Sequence, residues 1–181
     1  GEMRLSSKSH WDVPVRLPNG AVLHVLASHP TPSGFDGVAR RNDHRNHDEI
    51  QLWVDYLNRA SYVEDDSGRA GGLHTDASFV VMGDLNADPD DRSSFRDAIR
   101  SLVAHERVND VVPTARPAGQ DEYPDLDPDD TSRWAARIDY VLPSANLSVE
   151  GAQVWRPDPA AVPDVPVSDH FPVWMDVRIG P

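Results

Sequence analysis

The sequence contains no cysteine among its 181 residues. This excludes disulfide bonds, thiolate nucleophiles and cysteine-ligated zinc, but it leaves the cellular compartment open. No apolar stretch approaches the roughly 20 residues that a membrane helix requires, so we expect no membrane partner. The chain also begins at Gly1 without an initiator methionine or an apolar leader, which favours a fragment of a longer protein.

Basic residues are scarce, with 17 Lys and Arg against 30 Asp and Glu and a formal net charge of -13. Affinity for a phosphate backbone comes largely from cationic side chains, so this balance does not favour a nucleic-acid ligand, although it does not exclude one in the presence of metal ions. Hydrophobic content of 39% and charged content of 26% are typical of a globular protein. The length predicts a single domain over residues 1–181.

Apolar runs bounded by turn-forming residues predict β-strands. Pro14 would confine the first of them to the edge of a sheet, because proline cannot donate to a strand ladder. The last alternates Val173, Met175 and Val177 on one face. The predicted strands cover residues 11–15, 21–27, 79–82, 138–142 and 171–179.

Two amphipathic helices are predicted between these strands. Asn46 is the predicted N-cap of the first, with Glu49 three residues later, and its inward face carries Ile50, Trp53, Val54 and Leu57. Ser94 is the predicted start of the second, whose inward face carries Phe95, Ala98, Ile99 and Leu102. Residues 113–130 are dense in proline, glycine and acid and predict a long loop, which is functional or mobile in most compact domains.

Four polar clusters each follow or begin an apolar run, where α/β proteins usually build their sites. They are Ser28-His29, Asp84-Leu85-Asn86, Arg137-Ile138-Asp139-Tyr140 and Ser168-Asp169-His170. Phosphate ester hydrolysis needs a divalent metal to neutralise phosphoryl oxygens, a carboxylate to orient water and donors to hold the developing charge. The aspartates, the asparagine and the histidines of these clusters supply that set of groups.

In this order, the clusters resemble the second half of the endonuclease/exonuclease/phosphatase superfamily. The resemblance implies that Asp84 orients the attacking water and that Asn86 contacts the phosphate. It also implies that Asp139 pairs with His170, which contacts or activates at the scissile phosphate, while Asp169 ligates the metal. His29 resembles the histidine that binds phosphate or acts as general acid in the deoxyribonuclease and sphingomyelinase branches.

The resemblance implies an α/β fold in which two sheets form a sandwich flanked by helices, in four α/β/β/α layers. It implies a metal-dependent phosphoesterase with Mg²⁺ as the favoured ion and Mn²⁺ or Ca²⁺ as alternatives. The family's early Asn and its Gln-Glu metal ligand have no counterpart here, so we expect an incomplete sandwich that a missing amino-terminal half or a second chain completes. The alternatives are a non-catalytic scaffold that retains the fold and an inactive fragment.

A narrower resemblance covers residues 28–49, where Phe35-Asp36-Gly37, Arg41-Asn42 and Arg45 to Glu49 are similar to a bacterial, often secreted, subgroup. It favours a secreted or cell-envelope location. Arg41 and Arg45 are candidate substrate contacts, since guanidinium groups bind phosphate in a bidentate manner. The competing interpretation is that Arg45, Asp48 and Glu49 form surface ion pairs and a helix cap.

Other polar groups carry weaker signals. Residues 121–130 are acidic enough to bind calcium but lack the glycine and the terminal glutamate of an EF-hand, so a solvated acidic loop is the better interpretation. His44 and His47 have no further ligand at a recognisable spacing. The five tryptophans are dispersed and predict core or rim positions, not a base-stacking platform: Trp11, Trp53, Trp134, Trp155 and Trp174.

Overall fold

A computed structural model describes residues 4–33, 37–90, 95–157 and 168–180 of the chain. Its order of elements alternates strands and helices in the first half and ends in a hairpin-like pair of strands. The elements are β1 (His10–Arg16), β2 (Val22–Ser28), α1 (Arg41–Leu57), β3 (Ser78–Asp84), α2 (Asp97–Val103), α3 (Pro117–Asp121), β4 (Asp139–Pro143), β5 (Ser148–Val154) and β6 (Val173–Arg178).

The strands form two sheets. The larger has the order β1-β2-β3-β4, and the smaller is the antiparallel pair β5-β6. Strands β2 and β3 are parallel, with α1 as their crossover, while β1 and β4 run antiparallel to their neighbours. The fold is therefore α/β with two sheets and helices, as predicted. Strand β1 lies at a sheet edge, as Pro14 requires.

One face of the larger sheet carries the core. Leu26, Phe79, Val81 and Leu142 from the strands are fully buried, and they form one cluster with residues of α1 and α2. The predicted inward faces are largely confirmed, since Ile50, Trp53, Val54 and Leu57 of α1 and Ala98, Ile99 and Leu102 of α2 are all buried. Phe95 is the exception, because it precedes the first residue of α2 and is only half-buried. Burial of these side chains supplies the main favourable term in folding.

The opposite face of this sheet is apolar, and the described residues cover it only in part. Strand register places side chains of all four strands on it. Trp11, Val13 and Val15 of β1 are 61%, 44% and 39% exposed, whereas Pro143 at the end of β4 is buried. We call this surface the open face; it comprises Trp11, Val13, Val15, Leu23, Val25, Ala27, Val80, Met82 and Val141.

Two predictions about the elements need correction. Asn46 is not the cap of α1, because the helix begins at Arg41 and places Asn46 in its interior. The sequence also did not indicate β5, whose residues 148–154 contain a glycine and a glutamate and whose pairing with β6 includes an irregularity between Val149 and Gly151. The predicted helix start at Ser94 lies outside the described residues, as do Phe35 and Asp36 of the subgroup motif.

The predicted loop at residues 113–130 contains the short helix α3 and a small second core. Leu126 packs there with Val154 and Phe171. Among the residues that the structure describes, no helix is long and apolar enough to cross a membrane.

Candidate functional site

The sheet topology brings three of the four polar clusters to one edge. Because β2 and β3 are parallel, their carboxyl ends meet, and His29 follows β2 where Asp84 ends β3. Strand β4 runs the other way and begins at the same edge, with Asp139 directly opposite Asp84 in the register. One end of the sheet therefore carries His29, Asp84 and Asp139, which come from the ends of three separate strands.

Gly83 allows the ends of β2 and β3 to approach each other. Its φ of +141° is one that other residues rarely adopt, and a Cβ at this position would lie 2.1 Å from the main-chain oxygen of Ser28. Any side chain here would force the two strand ends apart. The glycine thus sets the spacing between the segments that carry His29 and Asp84.

Asp84 lies at the centre of this edge, with its side chain 18% exposed. Its Oδ2 is 3.3 Å from Nε2 of His29, and its Oδ1 accepts a hydrogen bond from the main-chain N–H of Asn86 at 2.9 Å. Asn86 adopts a left-handed conformation with φ 52° and donates its side-chain amide to the main-chain oxygen of Pro30 at 3.2 Å. In this structure Asn86 therefore joins the two loops, while its predicted contact with phosphate stays a prediction.

Asp139 and His170 form the second half of the site. His170 Nδ1 donates to Asp139 Oδ2 at 2.8 Å, so the pair that the family resemblance implies is present. The same Oδ2 accepts a hydrogen bond from the hydroxyl of Thr131 at 2.9 Å. Thr131 Oγ1 in turn accepts the main-chain N–H groups of Ile138 and Asp139, both at 2.9 Å. This hydroxyl fixes the start of β4 and the carboxylate together.

The electrostatics of the pair favour a proton on the imidazole. Burial lowers the pKa of His170, but the hydrogen bond and charge of Asp139, with the charges of Asp84 and Asp169, outweigh it and raise that pKa above its usual 6.5. Burial raises the pKa of Asp139, and the hydrogen bonds from His170 and Thr131 oppose that rise. His170 thus stays cationic to higher pH than an isolated histidine.

The three groups also have the spacing of a metal site. One ligand atom each of Asp84, Asp139 and His170 lies within 4.8 Å of the others, the one group of this kind in the described part of the chain. Carboxylate oxygens are the ligands that Mg²⁺ prefers, and a few protein ligands suffice because that ion keeps several waters. The donor set therefore fits a divalent cation.

A cleft of about 440 Å³ opens beside these groups. Its lining is largely apolar and includes Met82 and Val141 of the open face together with Trp155 and Phe171. Arg133 also lines it, and its guanidinium lies 5.4 Å from the ring of Tyr123 and 5.6 Å from that of Phe171. A cation and a carboxylate cluster thus face one cleft, which suits a phosphate with an organic substituent.

Sequence reasoning did not indicate Thr131, Arg133 or Trp134. Main-chain hydrogen bonds from Arg133 N to Asp169 O at 2.9 Å and from Phe171 N to Thr131 O at 2.7 Å join their segment to that of His170. Trp134 is 62% exposed, and its ring centroid lies 5.5 Å from that of His170. No sequence pattern links residues 131–134 to residues 169–171, because these two segments meet only in the folded structure.

The remaining predicted site residues lie further from this cluster. Asp169 is 57% exposed, with Oδ1 4.0 Å from His170 Nε2, and it is not one of the three converging ligands. Arg45 donates to the main-chain oxygens of Arg4 and Leu5 at 2.9 and 3.3 Å. Arg41 is exposed at the first residue of α1. Their predicted roles toward metal and substrate stay predictions.

The acidic loop at residues 121–130 is solvated at Asp121, Glu122, Asp125 and Asp127, as predicted, but not at Asp130. Asp130 is buried, its Oδ2 accepts the main-chain N–H of Asp127 at 2.7 Å, and burial raises its pKa. Its main-chain oxygen accepts the guanidinium of Arg156 at 2.8 Å. Within the described residues, this loop contributes no group of ligands that fits a metal ion.

Solved structures share this fold. An endonuclease/exonuclease/phosphatase from Beutenbergia cavernae aligns with a TM-score of 0.58 and 22% identity over 93% of this chain and 39% of its own. The human Nocturnin catalytic domain with bound sulfate anion aligns with a TM-score of 0.52 and 18% identity over 89% of this chain and 48% of its own. An endonuclease/exonuclease/phosphatase family protein from Leptotrichia buccalis aligns with a TM-score of 0.52 and 14% identity over 93% of this chain and 52% of its own. This chain therefore spans about half the length of these proteins, or less.

No curated protein matches the chain. A family match does cover most of it, since the Endonuclease/Exonuclease/phosphatase family matches residues 9–170. That span contains all four polar clusters, from Ser28 to His170. The chain belongs to the endonuclease/exonuclease/phosphatase family.

Proposed function

We propose that the protein is a metal-dependent phosphoesterase that hydrolyses a phosphodiester or phosphomonoester by in-line attack of water. The observation that carries the proposal is the convergence of Asp84, Asp139 and His170 within 4.8 Å at one sheet edge, in a family whose description names nucleases and phosphatases. His29 lies next to Asp84 and adds a fourth titratable group.

Each residue of the site has a separate role in the proposed reaction. Asp84 orients water and accepts its proton as the water oxygen bonds to phosphorus. His170 presents Nε2 to a phosphoryl oxygen, because Asp139 occupies its Nδ1. His29 supplies a proton to the leaving oxygen as the second phosphorus–oxygen bond breaks. Arg133, which also lines the cleft, binds a further phosphate oxygen.

Asp84 and Asp139 would hold the divalent ion, with Asp169 as the further ligand that the family resemblance implies, while His170 keeps its proton for the phosphate. Mg²⁺ is the proposed ion because the set is rich in carboxylate oxygens, and Mn²⁺ and Ca²⁺ are the alternatives. When bound, the ion supplies the positive charge that neutralises the phosphoryl oxygens.

We also propose that a further segment or a second chain covers the open face. The supporting facts are the full or partial exposure of the nine side chains of the open face and the fact that this chain spans about half the length of its structural relatives, or less. Exposed apolar surfaces of this kind usually mark an interface.

We also propose a secreted or cell-envelope location. This proposal rests on the subgroup resemblance alone, and cell fractionation tests it.

Phosphoester hydrolysis by the protein in its natural full length tests the enzymatic proposal. We expect turnover with Mg²⁺, its loss in EDTA, and loss of at least ~100-fold in Asp84→Ala and His170→Ala. The matched control is His74→Ala with Asp76→Ala, an exposed histidine–carboxylate pair 3.8 Å apart in the loop before β3. Turnover that survives both site substitutions would show the assignment to be wrong, and a folded, inactive wild-type protein would favour the non-catalytic scaffold.

Val13→Asp tests the covering of the open face. Val13 is 44% exposed, so the substitution should leave the stability of the 181-residue chain nearly unchanged while it destabilises the full-length protein. Val81→Asp, on the buried face, should destabilise both. Equal effects of Val13→Asp in the two proteins would contradict the proposal.

A further inference from the structure

Helix α1 carries two polar side chains on the face that it buries. Asn46 and Glu49 are 1% and 0% exposed and lie three residues apart, on the same side as Ile50 and Trp53. A buried amide and a buried carboxylate are costly unless hydrogen bonds replace those with water. The partners of these two side chains therefore indicate what each contributes.

Asn46 connects the two loops that carry the site. Its Nδ2 lies 2.8 Å from the main-chain oxygen of Thr31 and 2.9 Å from that of Leu85. Thr31 follows His29 in the loop after β2, and Leu85 follows Asp84 in the loop after β3. An amide nitrogen has two hydrogens, so this one group donates to both loops.

Glu49 holds the loop after β2 at a different atom of Thr31, its main-chain N–H. One carboxylate oxygen accepts the N–H of Thr31 at 2.5 Å, and the other accepts the N–H of Ser7. Arg45 Nε, 3.9 Å away, balances part of the charge. Thr31 is thus held at both polar atoms of its main chain, by Glu49 at its N–H and by Asn46 at its carbonyl.

The sequence of the loop explains why it depends on the helix. Pro30 and Pro32 have no N–H, so Thr31 provides the single main-chain donor of these three residues. On the other side of His29, the indole N–H of Trp53 donates to Ser28 Oγ at 2.8 Å. His29 therefore lies between two residues that α1 holds, although its own side chain is 50% exposed.

We propose that Asn46 and Glu49 are positioning residues that set the distance between His29 and Asp84. The inference rests on the proposed function, because it assigns them to a site in which those two side chains act together. They do not contact substrate. They hold the loops in register, and a displacement of about 1 Å between reacting groups can cost a factor of about 100 in rate.

Glu49→Gln is the principal test, with Asp48→Asn as the matched control. Gln keeps the shape of Glu49 but directs an amide at one of the two N–H groups, whereas Asp48 is 63% exposed on the adjacent position of the same helix. In the 181-residue chain we expect Glu49→Gln to speed amide hydrogen exchange at Thr31 at least ~10-fold and to weaken the nuclear Overhauser contacts between the His29 ring and residues 84–86. Asp48→Asn should change neither.

In the full-length protein we expect Glu49→Gln to lower kcat ~10- to 100-fold with KM changed less than ~3-fold, since the substrate-binding groups stay in place. If Glu49→Gln does not fold, Asn46→Ser replaces it, because a hydroxyl has one hydrogen and can serve only one of the two loops. A folded variant that keeps both the Overhauser contacts and the wild-type kcat would overturn the inference. If the wild-type protein hydrolyses no phosphoester, the proposed function fails, while loss of the contacts would still establish the positioning role.

Discussion

Asp139 connects two segments that lie 31 residues apart in the chain, since its Oδ2 accepts a hydrogen bond from Nδ1 of His170 at 2.8 Å. The contact occurs because Asp139 begins β4 and because the segment before β6 returns to the same edge of the sheet. A carboxylate at Nδ1 fixes which ring nitrogen carries the proton and leaves Nε2 for other partners. The properties of His170 should therefore depend on Asp139.

The first prediction concerns the charge of His170. In the metal-free chain its pKa should lie above 6.5, and Asp139→Asn should lower it, because the neutral amide no longer stabilises the imidazolium. A raised folded-state pKa adds stability that is complete below the unfolded value and is lost as pH rises through the folded value. NMR titration of the ring protons in EDTA measures the midpoint. The signal of His74 is the internal control, and an unchanged His170 midpoint in Asp139→Asn would contradict the prediction.

The second prediction concerns Thr131, which is 2% exposed and gives its hydroxyl to Asp139 while accepting two main-chain N–H groups. Thr131→Val keeps the shape and removes these partners, so it should lower the free energy of unfolding by ~1–3 kcal/mol. Urea denaturation measures the change. Thr75→Val, at an exposed position, should be within ~0.5 kcal/mol of wild type. Equal stability of the two variants would rule out the role given to the Thr131 hydroxyl.

The third prediction compares two glycines with positive φ. Gly20→Ala should cost ~1–2 kcal/mol, because φ is +87° but nothing lies within 4 Å of the added Cβ. Gly83→Ala should cost ~3 kcal/mol or more, because its Cβ would also overlap the oxygen of Ser28 at 2.1 Å. Thermal or urea unfolding gives both values. Similar costs at the two positions would mean that β2 and β3 do not approach as described.

The fourth prediction concerns acid stability. Burial raises the pKa of Glu49, but hydrogen bonds from the N–H groups of Ser7 and Thr31 outweigh it and bring that pKa below its usual 4.5. A lowered folded-state pKa adds stability that is present above the unfolded value and is lost as pH falls through the folded value. The stability difference between wild type and Glu49→Gln should therefore shrink as pH falls below 4.5 in urea unfolding experiments. A difference that stays constant into strong acid would contradict this, and Asp48→Asn is again the control.

Much of the fold could be predicted because its signals are local. Alternating or continuous apolar residues marked β2, β3, β4 and β6, and helical spacing marked the buried face of α1. The start of α1 was wrong because residues 41–45 are all polar, so no apolar period extends to Arg41. Strand β5 was not predicted because its sequence has little β-propensity. Its pairing with β6 determines its structure.

The site was only partly predictable for a similar reason. Asp84, Asp139 and His170 stand out because each carries a polar group at the end of an apolar run. Asn46 and Glu49 resemble a capping box in the sequence, and the one available signal of another role was their place on the apolar face of the helix. Thr131, Arg133 and Trp134 have no such pattern, since their partners lie in a distant segment.

The sequence by itself determined the α/β class, the buried faces of the helices, the absence of thiol chemistry and the acidic and imidazole groups available for catalysis, because residue type and period carry that information directly. Only the tertiary structure decided which of those groups meet. Parallel pairing of β2 with β3 and antiparallel pairing with β4 placed His29, Asp84 and Asp139 at one edge, and the return of the chain before β6 added His170. Such contacts arise from strand order and packing, which depend on long-range pairing and leave no local trace in the sequence.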